Sequence, residues 1–169
     1  MDTLEAIRKR RSIRKYRRDS VPANLVEEII GAGMMAPSAG NQQPWHFVVV
    51  DDRQMLDGII ANHPHAGALK EAPAAILVCG DLRLEKHKGY WVQDCSAAIQ
   101  NMLLAAHAAG LGTVWLGVYP REDRVRGLSK LFGLPGEVIP IAVIAVGYPA
   151  ENRDSPDRFD NTRIHRNKW

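Results

Sequence analysis

The stretch from Gln93 to Ala109, QDCSAAIQNMLLAAHAA, sets the tightest limit on what this chain can fold into. It is rich in alanine, contains neither glycine nor proline, and is followed by Gly110, where a C-terminal cap belongs. These features predict the strongest helix of the chain. Its polar residues are few, so it is apolar nearly all round, and such a helix has to be central. A continuous apolar run, Ala74 to Cys79, reads as a strand covered on both faces.

The remaining elements follow from periodicity. Thr3 to Arg10 reads as a short helix with Leu4 and Ile7 on one face. Pro22 suits the first turn of a second helix, in which Leu25, Val26, Ile29 and Ile30 repeat at helical spacing up to Met35. His46 to Val50 reads as a strand and Met55 to Ala61 as a helix. Further along, Thr113 to Leu116 reads as a strand, Arg121 to Phe132 as a helix, and Val138 to Val146 as a long apolar strand. Strands alternating with helices indicate a single α/β or α+β domain, 1–169, on one sheet. From residue 147 to 169 the apolar period stops. That tail is either disordered or laid along another surface, such as that of a second subunit, and the spaced anchors Phe159, Ile164 and Trp169 favour docking over disorder.

Charge and cysteine content narrow the partners. Net charge is +3, from 22 basic and 19 acidic residues, too modest to argue for nucleic acid. Its distribution is uneven: eight basic residues and no acidic one lie between Arg8 and Arg18. Such a block serves an anionic partner or a solvated face. Two cysteines, Cys79 and Cys95, make no disulfide framework, and no apolar run approaches the roughly 20 residues that cross a bilayer. The expectation is a cytoplasmic protein with no membrane partner. Metal and nucleophile chemistry find little support: His63 and His65 lack carboxylates at ligand spacing, and GxSxG is absent. No metal site is expected.

Three stretches could carry chemistry. In RKRRSIR, Arg8 to Arg14, guanidinium forks and the Ser12 hydroxyl suit a phosphate, and Arg10 and Arg14 would share a face if the first helix continued. A solvated basic patch is the alternative. In APSAGNQQPW, Ala36 to Trp45, uncharged amides suit the edge of a polar heterocycle, and Gly40 allows close backbone approach. Taken alone, that stretch reads first as a connector. GLGTVWLG turns from helix to strand, the reverse of the dinucleotide fingerprint, and taken alone reads as a tight connection.

In combination the order is informative. RRSIRKY, then APSAGNQQPWHFVVV, then AAHAAGLGTVWLG, then a tail ending RIHRNKW resembles the nitroreductase family of flavin enzymes, over nearly the whole chain. That resemblance implies an α+β fold with a central mixed β-sheet flanked by helices, and a homodimer with FMN at the subunit interface. It implies hydride uptake from NADH or NADPH and ping-pong reduction of a small organic acceptor such as a nitroaromatic or quinone. By resemblance, Arg10, Arg11, Ser12 and Arg14 belong to the flavin-binding run, Arg10 at the phosphate and Arg14 near the N1–O2 edge or the ribityl chain. Pro37, Ser38, Ala39 and Asn41 match a loop that reaches the flavin from the other subunit. Trp115, Leu116 and Gly117 match a segment on the N5 side, and Arg163 a tail arginine that joins Arg10.

Two departures stand out. Asn161 occupies a position where some relatives have lysine. The region between Val50 and Ala74 is short, with only His63, His65 and Lys70 to contact flavin or substrate. Other readings of the same fold are dehalogenation, azoline oxidation or flavin cleavage. A binding protein, either a flavin carrier or an RNA-associated module, is the reading from another class.

Overall fold

Strands buried on both faces organise the molecule. The computed structural model describes residues 1–169, in the order α1 (Thr3–Lys9), α2 (Ala23–Met34), β1 (Trp45–Val50), α3 (Arg53–Asn62), β2 (Ala74–Asp81), α4 (Trp91–Ala108), β3 (Gly112–Gly117), α5 (Glu122–Phe132) and β4 (Val138–Gly147). The strands form one sheet, β1-β2-β4-β3, with antiparallel neighbours throughout. Parallel pairing enters only at a single bridge, Ser12 to Thr113, so the mixed character of the sheet rests on that one contact.

Alternation of side chains splits the core into two layers. Leu77, Val114, Leu116, Val143 and Ala145 pack against Leu56 and Ile59 of α3 and Leu128 of α5. Ile76, Val78, Ile144 and Val146 face the other way, against Val26 and Ile29 of α2 and Cys95, Ile99 and Met102 of α4. Every residue of β2 is buried, as its unbroken apolar run requires. No helix is long and apolar enough to cross a membrane.

The helices end where local chemistry stops them. Asp2 caps α1 by accepting from Leu4 N and Glu5 N, and Asp52 caps α3 by accepting from Met55 N. At the end of α4, Gly110 takes φ +79 and Leu111 N donates back to Ala106 O at 2.8 Å, the left-handed cap its sequence predicts. The sheet and α2 cover most of α4, and α1 touches it as well. Along its remaining flank Gln93 and Gln100 are exposed, and Ala97 and Leu104 are half-buried.

Two segments leave this frame. Arg10 closes α1 with ψ 128, so the helix stops there and does not place Arg10 and Arg14 on one face. Beyond β4, Arg17 N donates to Tyr148 O and Ala150 N to Lys15 O, tying the tail to the N-terminal run. After that the tail is almost wholly exposed: Phe159 is 75%, Ile164 51% and Trp169 101% accessible.

Candidate functional site

The N-terminal basic run is a strap laid on the edge of the sheet. Ile13 N donates to Thr113 O at 2.9 Å beside the Ser12–Thr113 bridge, and the buried Tyr16 hydroxyl donates to Ile13 O at 2.6 Å. From the other side the tail grips it. Glu151 Oε1 accepts from Arg14 N at 2.6 Å and Lys15 N at 3.2 Å, and the Arg14 bond first, then the paired Arg153 and the Lys15 bond, hold its carboxyl below the usual range. Arg11 donates through Nε to Asp154 O at 2.9 Å and through a terminal nitrogen to Arg10 O at 2.6 Å.

Arg11 is therefore spent on holding the strap, whereas Arg10 is not. Arg10 is half-buried beside Arg11 and Arg158, and neither it nor Arg14 belongs to any ion pair. Burial first, then those two arginines, push its guanidinium below its ordinary pKa. A partly desolvated cation among cations is a demand for an anion. His107, near the end of α4, feels the same field: burial lowers its pKa most, then Arg10, Arg11 and Lys9.

From the strap the open edge of β3 runs on. Because Thr113 O faces Ile13, strand alternation turns the backbone groups of Trp115 and Gly117 outward as well. The Trp115 ring packs half-buried on the α4 face, and Leu116 is buried on the other. Gly117 O accepts from His63 Nε2 and from a terminal nitrogen of Arg124, each at 2.8 Å. His63 is 2% exposed, and its Nδ1 accepts from His65 N at 3.2 Å. Donating at Nε2 and accepting at Nδ1 defines a neutral ring, and burial keeps its pKa below the ordinary value.

The amide-rich loop forms the second cluster. Its 3-10 turn, Ala39–Asn41, carries positive φ at Gly40 (54°) and Asn41 (53°), and Gln43 follows at 46°. Two non-glycine residues in the left-handed region mark a conformation imposed by contacts. Those contacts come from Asp94, in the first turn of α4, which accepts from Ala39 N at 3.0 Å and Gln42 Nε2 at 2.6 Å. Gln42 Oε1 in turn accepts from Lys86 N at 2.8 Å and His87 N at 3.0 Å. Ser38 Oγ accepts from Gln43 N, and Asn41 Oδ1 from Gln43 Nε2, each at 3.0 Å. Pro37 is exposed at the start of the loop. Sequence reasoning missed Gln42 and Asp94. The readable signal was a lone carboxylate in an otherwise apolar helix, which burial obliges to find donors.

The two clusters do not meet. Arg10 lies by His107 near the end of α4, whereas the loop is bonded to Asp94 at its start. Thirteen steps along the helix lead from Asp94 to His107, about 20 Å at 1.5 Å per residue. Arg163 joins neither cluster: it is exposed and donates to Asp160 Oδ2 at 3.0 Å, while Arg158 is the tail cation beside Arg10. Cys79 and Cys95 are buried, with burial pushing both thiols up to about 12, so neither is a nucleophile.

The domain is α+β, with a half-buried, unpaired Arg10 on one sheet edge and a polar loop about a helix length away. The chain belongs to the nitroreductase family, whose sequence profile matches residues 7–61 and 60–148. A protein of Methanothermobacter thermautotrophicus, provisionally named NADH dehydrogenase/NAD(P)H nitroreductase, is 57% identical over 169 residues, covering 100% of this chain and 88% of its own. A crystal structure from Parabacteroides distasonis under the same provisional name superposes with a TM-score of 0.95 at 43% identity, covering 99% of this chain and 98% of that one. A provisionally assigned nitroreductase of Desulfovibrio desulfuricans, crystallised with FMN, superposes with a TM-score of 0.85 at 35% identity, covering 100% and 99%.

Proposed function

We propose that this chain is an FMN-dependent oxidoreductase that takes hydride from NADH or NADPH and reduces a small organic acceptor by a ping-pong mechanism. It acts as a homodimer with FMN between the subunits. The observation that carries this reading is the separation of the two clusters along α4. One chain offers a phosphate-seeking strap and, about 20 Å away, a rigid amide loop. Two copies related by a twofold axis bring each strap to the other's loop, giving two sites per dimer.

The residues present fit FMN. Arg10 is an unpaired, half-buried guanidinium and Ser12 a hydroxyl on the same strap, a suitable pair for a phosphate. Arg14 is exposed and unpaired, so it is free to place positive charge near the pyrimidine edge. The outward backbone of Trp115 offers an N–H and a C=O, a pair a flavin edge can read, whereas Gly117 O is already taken by His63 and Arg124. From the second copy, Pro37, Ser38, Ala39 and Asn41 supply a wall whose shape Asp94 fixes. When bound, FMN supplies the hydride-accepting and hydride-donating chemistry. The protein's part is to bind, orient and bias charge, and no side chain is assigned as an obligatory acid or base.

The tail supports the dimer. Phe159, Ile164 and Trp169 stand in solvent on a single chain, as do Leu4, Ile7, Met34 and Met35 of α1, α2 and the turn that follows α2. Burying such groups against a second copy is the ordinary remedy for exposed apolar surface. Anaerobic absorption spectroscopy tests the reading. The purified protein should show flavin bands that bleach with NADH or NADPH and return on adding a quinone or nitroaromatic. A colourless protein, or a yellow one that neither nucleotide bleaches, would overturn it.

A further inference from the structure

The loop between β2 and α4 has a construction that the flavin site alone does not explain. Glu85 Oε1 accepts from Gly89 N at 2.6 Å and Trp91 N at 3.3 Å, closing the loop on itself and turning its only carboxylate inward. The buried Gln42 side chain holds the backbone of Lys86 and His87, with its other end on Asp94. The His87 ring packs so closely on Gly40 that a Cβ added there would lie 2.5 Å from its Nε2. Loop 85–90 is thereby one rigid piece with the turn that carries Ser38 and Asn41.

That piece presents Lys86, His87 and Lys88 in succession, all exposed, with Tyr90 also in solvent. None of the three side chains takes part in an ion pair. A mobile lysine-rich loop would be an ordinary solvated surface. A lysine-rich loop clamped through a buried amide to a ligand wall is a fixed positive rim. We propose that Lys86 and Lys88, with His87 between them, hold the phosphates of the nicotinamide nucleotide at the mouth of the site. The inference rests on the reading that the Ser38–Asn41 turn faces FMN. The chemistry suits a substrate that must leave in every cycle. A nicotinamide ring over the flavin has to trail its pyrophosphate outward, and lysine ammoniums meet phosphate as point charges without the lock of a bidentate arginine.

The test compares the flavin-loaded parent with the double variant Lys86→Gln/Lys88→Gln. Calorimetric binding of ADP-ribose, which has the pyrophosphate but no reducible ring, reads the rim without turnover. Its Kd should rise about tenfold, as expected for losing two solvent-exposed ion pairs with phosphate. The KM for NADH should rise by a similar factor, while the rate with reduced nicotinamide riboside, which has no phosphate, stays the same. Unchanged ADP-ribose binding and unchanged KM would overturn the proposal, as would equal loss with both donors. Failure of the flavin reading shows differently: the parent itself would be colourless or unbleached, and ADP-ribose binding would still decide the rim.

Discussion

Gln42 and Asp94 meet through a 2.6 Å bond between an amide nitrogen and a carboxylate oxygen, one from the amide-rich loop and one from the first turn of α4. Both are buried, at 6% and 4% exposure, and each has a second obligation: Asp94 to Ala39 N, Gln42 to the backbone of Lys86 and His87. Two side chains thus set the position of two loops relative to one helix.

Replacing Gln42 with leucine leaves a buried carboxylate short of a donor and two backbone N–H groups without their acceptor. The expected cost is about 2–4 kcal/mol, seen as a lower urea midpoint. Gln43→Ala, at an exposed position one residue on, should cost less than about 1 kcal/mol. Equal midpoints for the two variants would remove Gln42 from its structural role.

Gly40→Ala combines a left-handed φ of 54° with a clash against the His87 ring. A loss of about 1–2 kcal/mol is expected from the backbone alone. Gly67→Ala, where an added Cβ meets nothing, serves as the neutral control. Thermal melts of the two proteins side by side decide the point.

Arg10→Ala should release FMN during purification, because it removes the one half-buried cation of the strap that has no partner. Arg163→Ala should do so too if the tail arginine reaches the phosphate in the dimer. Flavin content is read from the ratio of visible to ultraviolet absorbance. Full flavin in both variants would refute the phosphate assignment.

Stability should fall on mild acidification. His63 and His107 have folded pKa values below the ordinary 6.5, chiefly through burial. Above about pH 6.5 both states are neutral at these rings. Below it the unfolded chain takes up protons that the native state resists, so unfolding is favoured. Asp81 behaves oppositely: its bonds to Arg83 hold its carboxyl at about 2, and the stability this confers is lost only as pH falls from about 4 towards 2. A drop in urea midpoint between pH 7 and 5 belongs to the histidines, and His63→Gln, which keeps a donor for Gly117 O, should shrink it to the part that His107 contributes.

Deleting Asp157 to Trp169 should convert a dimer into monomers or aggregates by light scattering, since it removes Phe159, Ile164 and Trp169 together. An intact dimer would count against a tail that embraces its partner.

Much of the fold was legible in the sequence. Every element lies within two residues of its predicted limits, because apolar period and caps such as Gly110 are local signals. The strap and the loop were also legible as stretches. What one chain's sequence does not carry is pairing across space. That Arg11 would be consumed by Asp154 O while Arg10 stayed free depends on where the tail returns. That Gly117 O would collect both His63 and Arg124 depends on packing between α3 and α5.

The length of α4 has a genetic consequence. If each site takes its strap from one chain and its loop from the other, damage to either part spoils both sites of a pure dimer. Mixing two inactive variants, Arg10→Ala and a loop variant such as Gln42→Leu, gives heterodimers in which one site collects both lesions and the other none. Half of the sites in such hybrids are restored, so two dead alleles expressed together should complement.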